Sequence, residues 1–441
     1  MDLVRGDWDS DHLFRRMDRQ RGASRPQHKA IKILEAEFRI DERRMLRLLS
    51  SKHLKTRDLL TRYLNRAPLM IASLLLALLP VKFLTAPGGP DQTNRSAPES
   101  LARGTEKAQK DPDLTLKSMR ERVMAARPLA MYYTSGGVSG LDSVEQHASD
   151  ITILAPQCYW LDQNGNVQGG VPAATMDAAR QSGLPVMALL YNEDFSRRVA
   201  SAVLHNQDLQ KAIIKNLSEI ARKEDLLGFQ LDLENIDPGD INLYTRFVQD
   251  AANEFHHEGR MLSVAVVPRF LNSVPSQWAA AYDYSALARR VDFLTLMAYD
   301  NSGRLGQPGP IAGYNWVRKA LEYARSRVPT DKLLLGIALY GREWSDNGHG
   351  LQARTMAFPE TQALLNRLSL TPRWDESQRS PWFEYRSSGT VNQLWYENAR
   401  SIQEKLRLLD EYRLRGFAAW RLGMEDPRIW SMVTAVSQSQ P

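Results

Sequence analysis

The feature that most limits what this chain can fold into is a count of eight. From about residue 126 onward, short β-branched or apolar runs alternate with helical stretches. The runs fall at 129–135, 151–159, 185–192, 228–235, 262–269, 292–300, 332–341 and 416–423. Helical spacing fills several intervals, among them 206–223, 242–257, 316–327 and 397–413. Within 242–257 the residues Leu243, Phe247, Val248, Ala251 and Phe255 fall on one stripe of a helix. Strands that each hand over to a helix pair in parallel, with the helices covering the sheet. Eight such units predict a (β/α)8 TIM barrel over 126–435. An open doubly wound sheet would show the same local pattern, but the count of eight and the lack of a Gly-rich phosphate loop favour the closed form. The alternation breaks once, after the seventh run. Residues 342–395 carry Trp344, Trp374, Trp382, Phe383, Tyr385 and Trp395 with few helix signals, which predicts a small α+β insertion on the catalytic face.

Upstream of the barrel the chain changes character. Residues 67–81 form an apolar stretch without a charge, followed by Lys82. Two readings compete: a secretory signal, whose apolar core is this short, and a membrane anchor with Lys82 reaching the interface. The long segment before it and the poor cleavage site after it favour an anchor over 67–85. Residues 1–66 form a basic tail of net charge +7 and the remainder carries −1, so the chain's +6 belongs to the tail. A Lys/Arg excess before the apolar stretch keeps that side cytoplasmic and exports the rest. The expected place is therefore a bacterial cytoplasmic membrane, single-pass, with the barrel on the outer side, or secreted if the segment is cleaved. The body has no basic stripe and gives no reason to expect nucleic acid as a partner. Residues 86–125 begin with Pro, Gly, Ser and charge, and are expected to be a flexible linker. One cysteine, Cys158, and eight histidines without ligand spacing offer no metal site.

The chemistry concentrates on the fourth run. In 228–235 Phe229, Leu231 and Leu233 alternate with Gln230, Asp232 and Glu234. The apolar set suits the helix-facing side, which sends an amide and two carboxyl groups into the barrel. Carboxyl groups so close in a confined space repel, and one is driven to keep its proton. Glu234 comes last, towards the end where barrel enzymes hold their catalytic groups. The pair reads as a general acid with a partner that tunes it. The sixth run places Thr295, Met297 and Tyr299 on one face by period two, with Asp300 next. On the eighth run Trp420 offers a flat apolar floor for a sugar ring. Asn192, closing the third run, and Tyr340, closing the seventh, are further candidates for the mouth.

These residues resemble the family 18 glycoside hydrolases, the chitinase-like barrels. That family carries Asp-x-x-Asp-x-Asp-x-Glu on its fourth strand, Met-x-Tyr-Asp on its sixth and a Trp on its eighth. Here the corresponding residues are Leu227, Gln230, Asp232 and Glu234, then Met297, Tyr299 and Asp300, then Trp420. Stretches such as APQCYWLD, LDLENI and GPIAGYNWVRKAL look closer to the bacterial spore-germination type that acts on cell-wall glycans. WRLGMEDPRIW also looks like modules of exopolysaccharide systems. The resemblance implies a glycosidase for β-linked N-acetylhexosamine polymers, with no metal or cofactor, and partners in cell-wall or polysaccharide-synthesis machinery. It also implies substrate-assisted retaining hydrolysis, an exception to the usual two-carboxylate scheme. In that scheme Glu234 donates the proton, Asp232 holds the acetamido N–H, and Tyr299 bonds the acetamido oxygen. Gln230, Met297, Asp300 and Trp420 line the substrate. Leu227 and Gln230 stand where the family has aspartates; Gln230 is expected to hydrogen-bond Asp232 without sharing a proton. A non-catalytic, lectin-like barrel of the same fold is the alternative.

Overall fold

The computed structural model describes residues 115–135, 140–346, 350–387 and 389–438. The tail, the apolar segment and the linker up to residue 114 lie outside the described residues. Among the described residues no helix is long and apolar enough to cross a membrane.

Fourteen strands are described, in chain order β1 (Leu129–Ser135), β2 (Ile153–Leu161), β3 (Val167–Gly169), β4 (Met187–Asn192), β5 (Gly228–Asp232), β6 (Met261–Val266), β7 (Phe293–Leu296), β8 (Leu333–Ala338), β9 (Tyr340–Asp346), β10 (Leu351–Ala357), β11 (Arg373–Asp375), β12 (Ser380–Ser387), β13 (Thr390–Tyr396) and β14 (Gly416–Trp420). Eight of them, β1, β2, β4, β5, β6, β7, β8 and β14, pair in parallel, and β1 pairs with both β2 and β14, so the sheet closes. This is the expected (β/α)8 barrel. β3 is an antiparallel extension on β2.

Alternation along each strand sorts side chains into two cores. Phe229, Leu231 and Leu233 join the outer core with the buried face of the helix Ile241–His257, including Phe247, Val248, Ala251 and Phe255. Leu129, Met131 and Tyr133 of β1 join the interior with Ile153, Met187, Leu189, Met261, Phe293 and Leu334. Most of these side chains are fully buried, and each contributes about 1.5–3 kcal/mol by leaving water.

Two expectations are corrected here. The linker expected to run to residue 125 ends earlier, because Leu116–Ala125 is helical, with the Thr115 hydroxyl accepting from the Ser118 N–H as an N-cap. Met119 and Val123 of that helix are buried in the interior core, beside Leu116. The Arg415 guanidinium donates to the Val123 and Met124 carbonyls and locks the helix against the start of β14. Three spaced apolar residues found their partner surface in the barrel, far away in sequence.

The other correction concerns strand ends. Runs 228–235 and 292–300 were expected to be strands throughout, yet β5 stops at Asp232 and β7 at Leu296. Past Leu296 the Ala298 and Tyr299 N–H groups donate to the Leu296 and Met297 carbonyls, which curls the chain out of the sheet. Asn235 then turns with φ 53° and Asp300 with φ 59°, left-handed values that Asn and Asp tolerate better than most residues.

The insertion after the seventh barrel strand is a five-stranded antiparallel sheet in the order β10-β9-β13-β12-β11, with the helix Phe358–Leu368 packed on it. Only Leu339 separates β8 from β9, and its N–H donates to the Trp420 carbonyl.

Candidate active site

The site is built where β4, β5, β7, β8 and β14 end. Asp232 closes β5 and is 5% exposed; its Oδ1 is buried with no hydrogen-bond partner among the described residues. Two residues on, Glu234 is half-buried. Burial holds the Asp232 carboxyl well above the ordinary carboxylate range. Burial raises the Glu234 carboxyl too, and the nearby Asp232 and, more weakly, Asp300 add to the effect. Two carboxyl groups under these conditions favour a state with at least one proton retained, which is what a general acid at neutral pH requires.

Below the pair lies a neutral plug. Gln230 is fully buried, level with Ser263 by strand register. Its Oε1 accepts from the Tyr133 hydroxyl at 2.6 Å, and its Nε2 donates to Ser263 Oγ and Thr295 Oγ1, each at 3.0 Å. Both amide N–H groups are thus engaged away from Asp232, so the expected Gln230–Asp232 hydrogen bond is replaced by bonds to three hydroxyls. The expectation that Gln230 contacts substrate is corrected for the same reason: it supports the floor from beneath.

Asn192 is corrected in a similar way. It is fully buried, its Oδ1 accepts from the Glu234 N–H at 2.9 Å, and its Nδ2 donates to the Glu234 carbonyl at 3.0 Å and to the Ser196 carbonyl. It clamps the peptide that carries Glu234 and does not face the mouth. Tyr340 is 4% exposed and its hydroxyl donates to Asp300 Oδ1, so it orients Asp300. Arg342 of β9 donates to the same oxygen at 2.8 Å and to the Ser302 carbonyl at 2.7 Å. Asp300 itself remains exposed. Arg342 carried no signal in the sequence because it lies in the insertion, 42 residues from its partner.

Tyr299 is half-buried beside this cluster. Burial, with the fields of Tyr133 and Asp232, drives its hydroxyl far above the usual phenol range, so it stays a hydrogen-bond donor. Room for its ring comes from Gly336 on β8: a Cβ there would stand 2.5 Å from the Leu296 carbonyl oxygen and 2.9 Å from Tyr299 Cε1. Met297 is 9% exposed and at the margin of the site. Trp420 ends β14, half-buried, its ring 5.3 Å from that of Tyr133 and packed against both the interior core and the insertion. The structure thus brings Glu234, Asp232, Tyr299, Asp300 and Trp420 to one end of the barrel. It adds Trp278, whose Nε1–H donates to Glu234 Oε2 at 2.7 Å, and Tyr282, whose hydroxyl donates to the Leu233 carbonyl at 2.8 Å. No periodicity marked either residue, since residues 267–283 form neither strand nor helix.

Comparison with known proteins finds a family and relatives for the chain. The family described as glycosyl hydrolases family 18 matches residues 129–425. The chain is similar to the uncharacterized glycosylase YvbX of Bacillus subtilis, at 25% identity over 70% of this chain and 91% of that protein. It is similar at 29% identity to the cortical fragment-lytic enzyme of Bacillus subtilis, covering 56% of this chain and 58% of that enzyme's length. Among solved structures, a chitinase from Chromobacterium violaceum superposes with a TM-score of 0.65 at 29% identity, over 72% of this chain and all (100%) of that one.

Proposed function

This chain belongs to family 18 of the glycosyl hydrolases and is a glycosidase; from that premise we propose that it cleaves β-linked N-acetylhexosamine glycans by substrate-assisted retaining catalysis. The observation that carries the proposal is the carboxyl pair at the end of β5: a half-buried Glu234, driven up by burial and by Asp232, beside a buried Asp232 whose Oδ1 has no partner among the described residues. The proton on Glu234 passes to the glycosidic oxygen as the bond to the anomeric carbon breaks. The sugar's own acetamido oxygen attacks that carbon and forms an oxazolinium ion. Asp232 accepts the acetamido N–H, which gives its unpaired Oδ1 a donor, and its negative charge stabilises the cation. Tyr299 donates to the acetamido oxygen, Asp300 contacts sugar hydroxyls, and Trp420 lies beneath the reacting ring. Glu234, now ionised, takes a proton from the water that opens the oxazolinium with overall retention.

The relatives, a cortical fragment-lytic enzyme and a chitinase, support glycans containing N-acetylglucosamine: peptidoglycan, exopolysaccharide or a chitin-like polymer. The apolar stretch 67–81, with the basic tail before it, supports export and tethering of the barrel outside the cytoplasmic membrane, near cell-wall or polysaccharide-synthesis machinery. The test is Glu234→Gln in the full chain, assayed on N-acetylglucosamine oligomers. We expect kcat to fall by about 10²–10⁴-fold with little change in KM. Unchanged cleavage would remove Glu234 from the mechanism. Binding without turnover in the unsubstituted protein, across the whole pH range, would favour a lectin-like barrel.

A further inference from the structure

The mechanism leaves one contact of Glu234 without a role. Trp278 lies on the irregular segment 267–283 that follows β6, 44 residues from Glu234 along the chain, yet its indole N–H sits 2.7 Å from Glu234 Oε2. The same segment grips the neighbouring backbone through the Tyr282 hydroxyl on the Leu233 carbonyl. Asn192 holds both ends of the Glu234 peptide. The backbone of the acid is therefore fixed from one side and one carboxyl oxygen from the other.

An indole N–H donates and never accepts. An oxygen that receives it cannot also point a hydroxyl hydrogen along the same line. Of the two oxygens of a protonated Glu234, Oε2 is occupied by the indole, and the proton is left to Oε1. We propose that Trp278 is a positioning residue for catalysis: by holding Oε2 it assigns the transferable proton to Oε1, and its open ring borders the sugar that leaves. Trp278 is 40% exposed despite this bond, so apolar ring surface is free beside the acid. The leaving oxygen must come within hydrogen-bond reach of Glu234, which brings the leaving sugar within reach of that ring. The inference rests on Glu234 being the proton donor.

The indole also opposes its surroundings. Asp232 on β5 and Asp300 after β7 disfavour ionisation of Glu234, the Tyr299 and Tyr282 phenols share its field, and Arg197 is engaged by Asn235 and Asp237. The Trp278 hydrogen bond favours the ionised form. Removing it makes Glu234 a weaker acid and frees both oxygens to carry the proton.

The experiment compares Trp278→Phe and Trp278→Ala with the unsubstituted full chain on N-acetylglucosamine oligomers, over pH. Trp278→Phe keeps a ring and loses the N–H. Its basic limb of kcat/KM should move up by about one pH unit, with kcat down about tenfold and KM within about twofold. Trp278→Ala should show the same limb and a raised KM. A Phe variant with the unsubstituted limb and kcat overturns the proposal. A second reading does not depend on turnover. With ¹⁵N-tryptophan labelling, the indole resonance that disappears in Trp278→Phe should titrate in the unsubstituted protein and stop titrating in Glu234→Gln. A resonance indifferent to pH overturns the inference even where hydrolysis is intact. Absence of hydrolysis in the unsubstituted protein overturns the proton-donor reading instead, while the resonance still reports the contact.

Discussion

A carboxyl group forced to keep its proton leaves a mark on stability as well as on rate. Asp232 and Glu234 are both raised, chiefly by burial, so each binds its proton more tightly in the folded chain than in the unfolded one. Their contribution is fully present below the ordinary carboxylate value of about 4 and is lost as pH rises through the folded-state values. Asp232→Asn removes one of these titrations. We expect the unsubstituted protein to lose Tm more steeply than the variant as pH rises from about 4 towards 8, while the variant loses most of its activity. Thermal melts across that range check this, and parallel curves would sink the argument. At this scale the sequence was informative about Asp232 and Glu234, because alternation on a single run decides which way they point. It was misleading about Gln230 and Asn192. Their positions were legible, but their partners, the hydroxyls of Tyr133, Ser263 and Thr295 and the Glu234 peptide, come from other strands. Trp278 was beyond reach, since nothing local links residue 278 to residue 234.

Among elements, the sharpest demand falls where β8 passes behind the chain that leaves β7. Gly336 is paired on β8 with Ala418 of β14, and its missing side chain is what admits the Tyr299 ring. Gly336→Ala puts a Cβ where backbone and ring already stand. We expect about 1–3 kcal/mol of lost stability and a fall in kcat larger than the change in KM, as Tyr299 is displaced. Denaturant melts with steady-state kinetics separate the two effects, and an active, fully stable variant would contradict the close approach. The eight barrel strands were readable because short apolar runs between helices have few other outcomes. Their ends were not, because Leu296–Asp300 leaves the sheet through backbone hydrogen bonds that no side-chain pattern encodes. Nor was the helix Leu116–Ala125, whose few apolar residues sit among charges and depend on the barrel interior for their burial.

For the whole molecule, charge and hydropathy set residues 1–85 apart in composition from the rest of the chain. The basic excess lies in residues 1–66 and the site lies within 129–425. If residues 67–85 tether the barrel, deleting residues 1–85 should move the protein from the membrane fraction to the soluble fraction. Its kcat/KM on soluble oligomers should stay within about twofold, since the hydrogen bonds that hold the site join residues between 133 and 420. Fractionation paired with the oligomer assay checks both halves; retention in the membrane fraction would remove the tether.

The single residue between β8 and β9 has a mechanical consequence. Leu339 hangs on the Trp420 carbonyl, Tyr340 and Arg342 hold Asp300, and the insertion sheet grows from the same strand. These bonds tie that wall of the cleft together: tilting the insertion would drag the Trp420 indole and the Asp300 carboxylate with it. Glu234 is held from residues 267–283, which have no regular structure of their own. A glycan in the proposed site would thus meet one wall braced through a single strand and another held to the acid by the Trp278 and Tyr282 side chains.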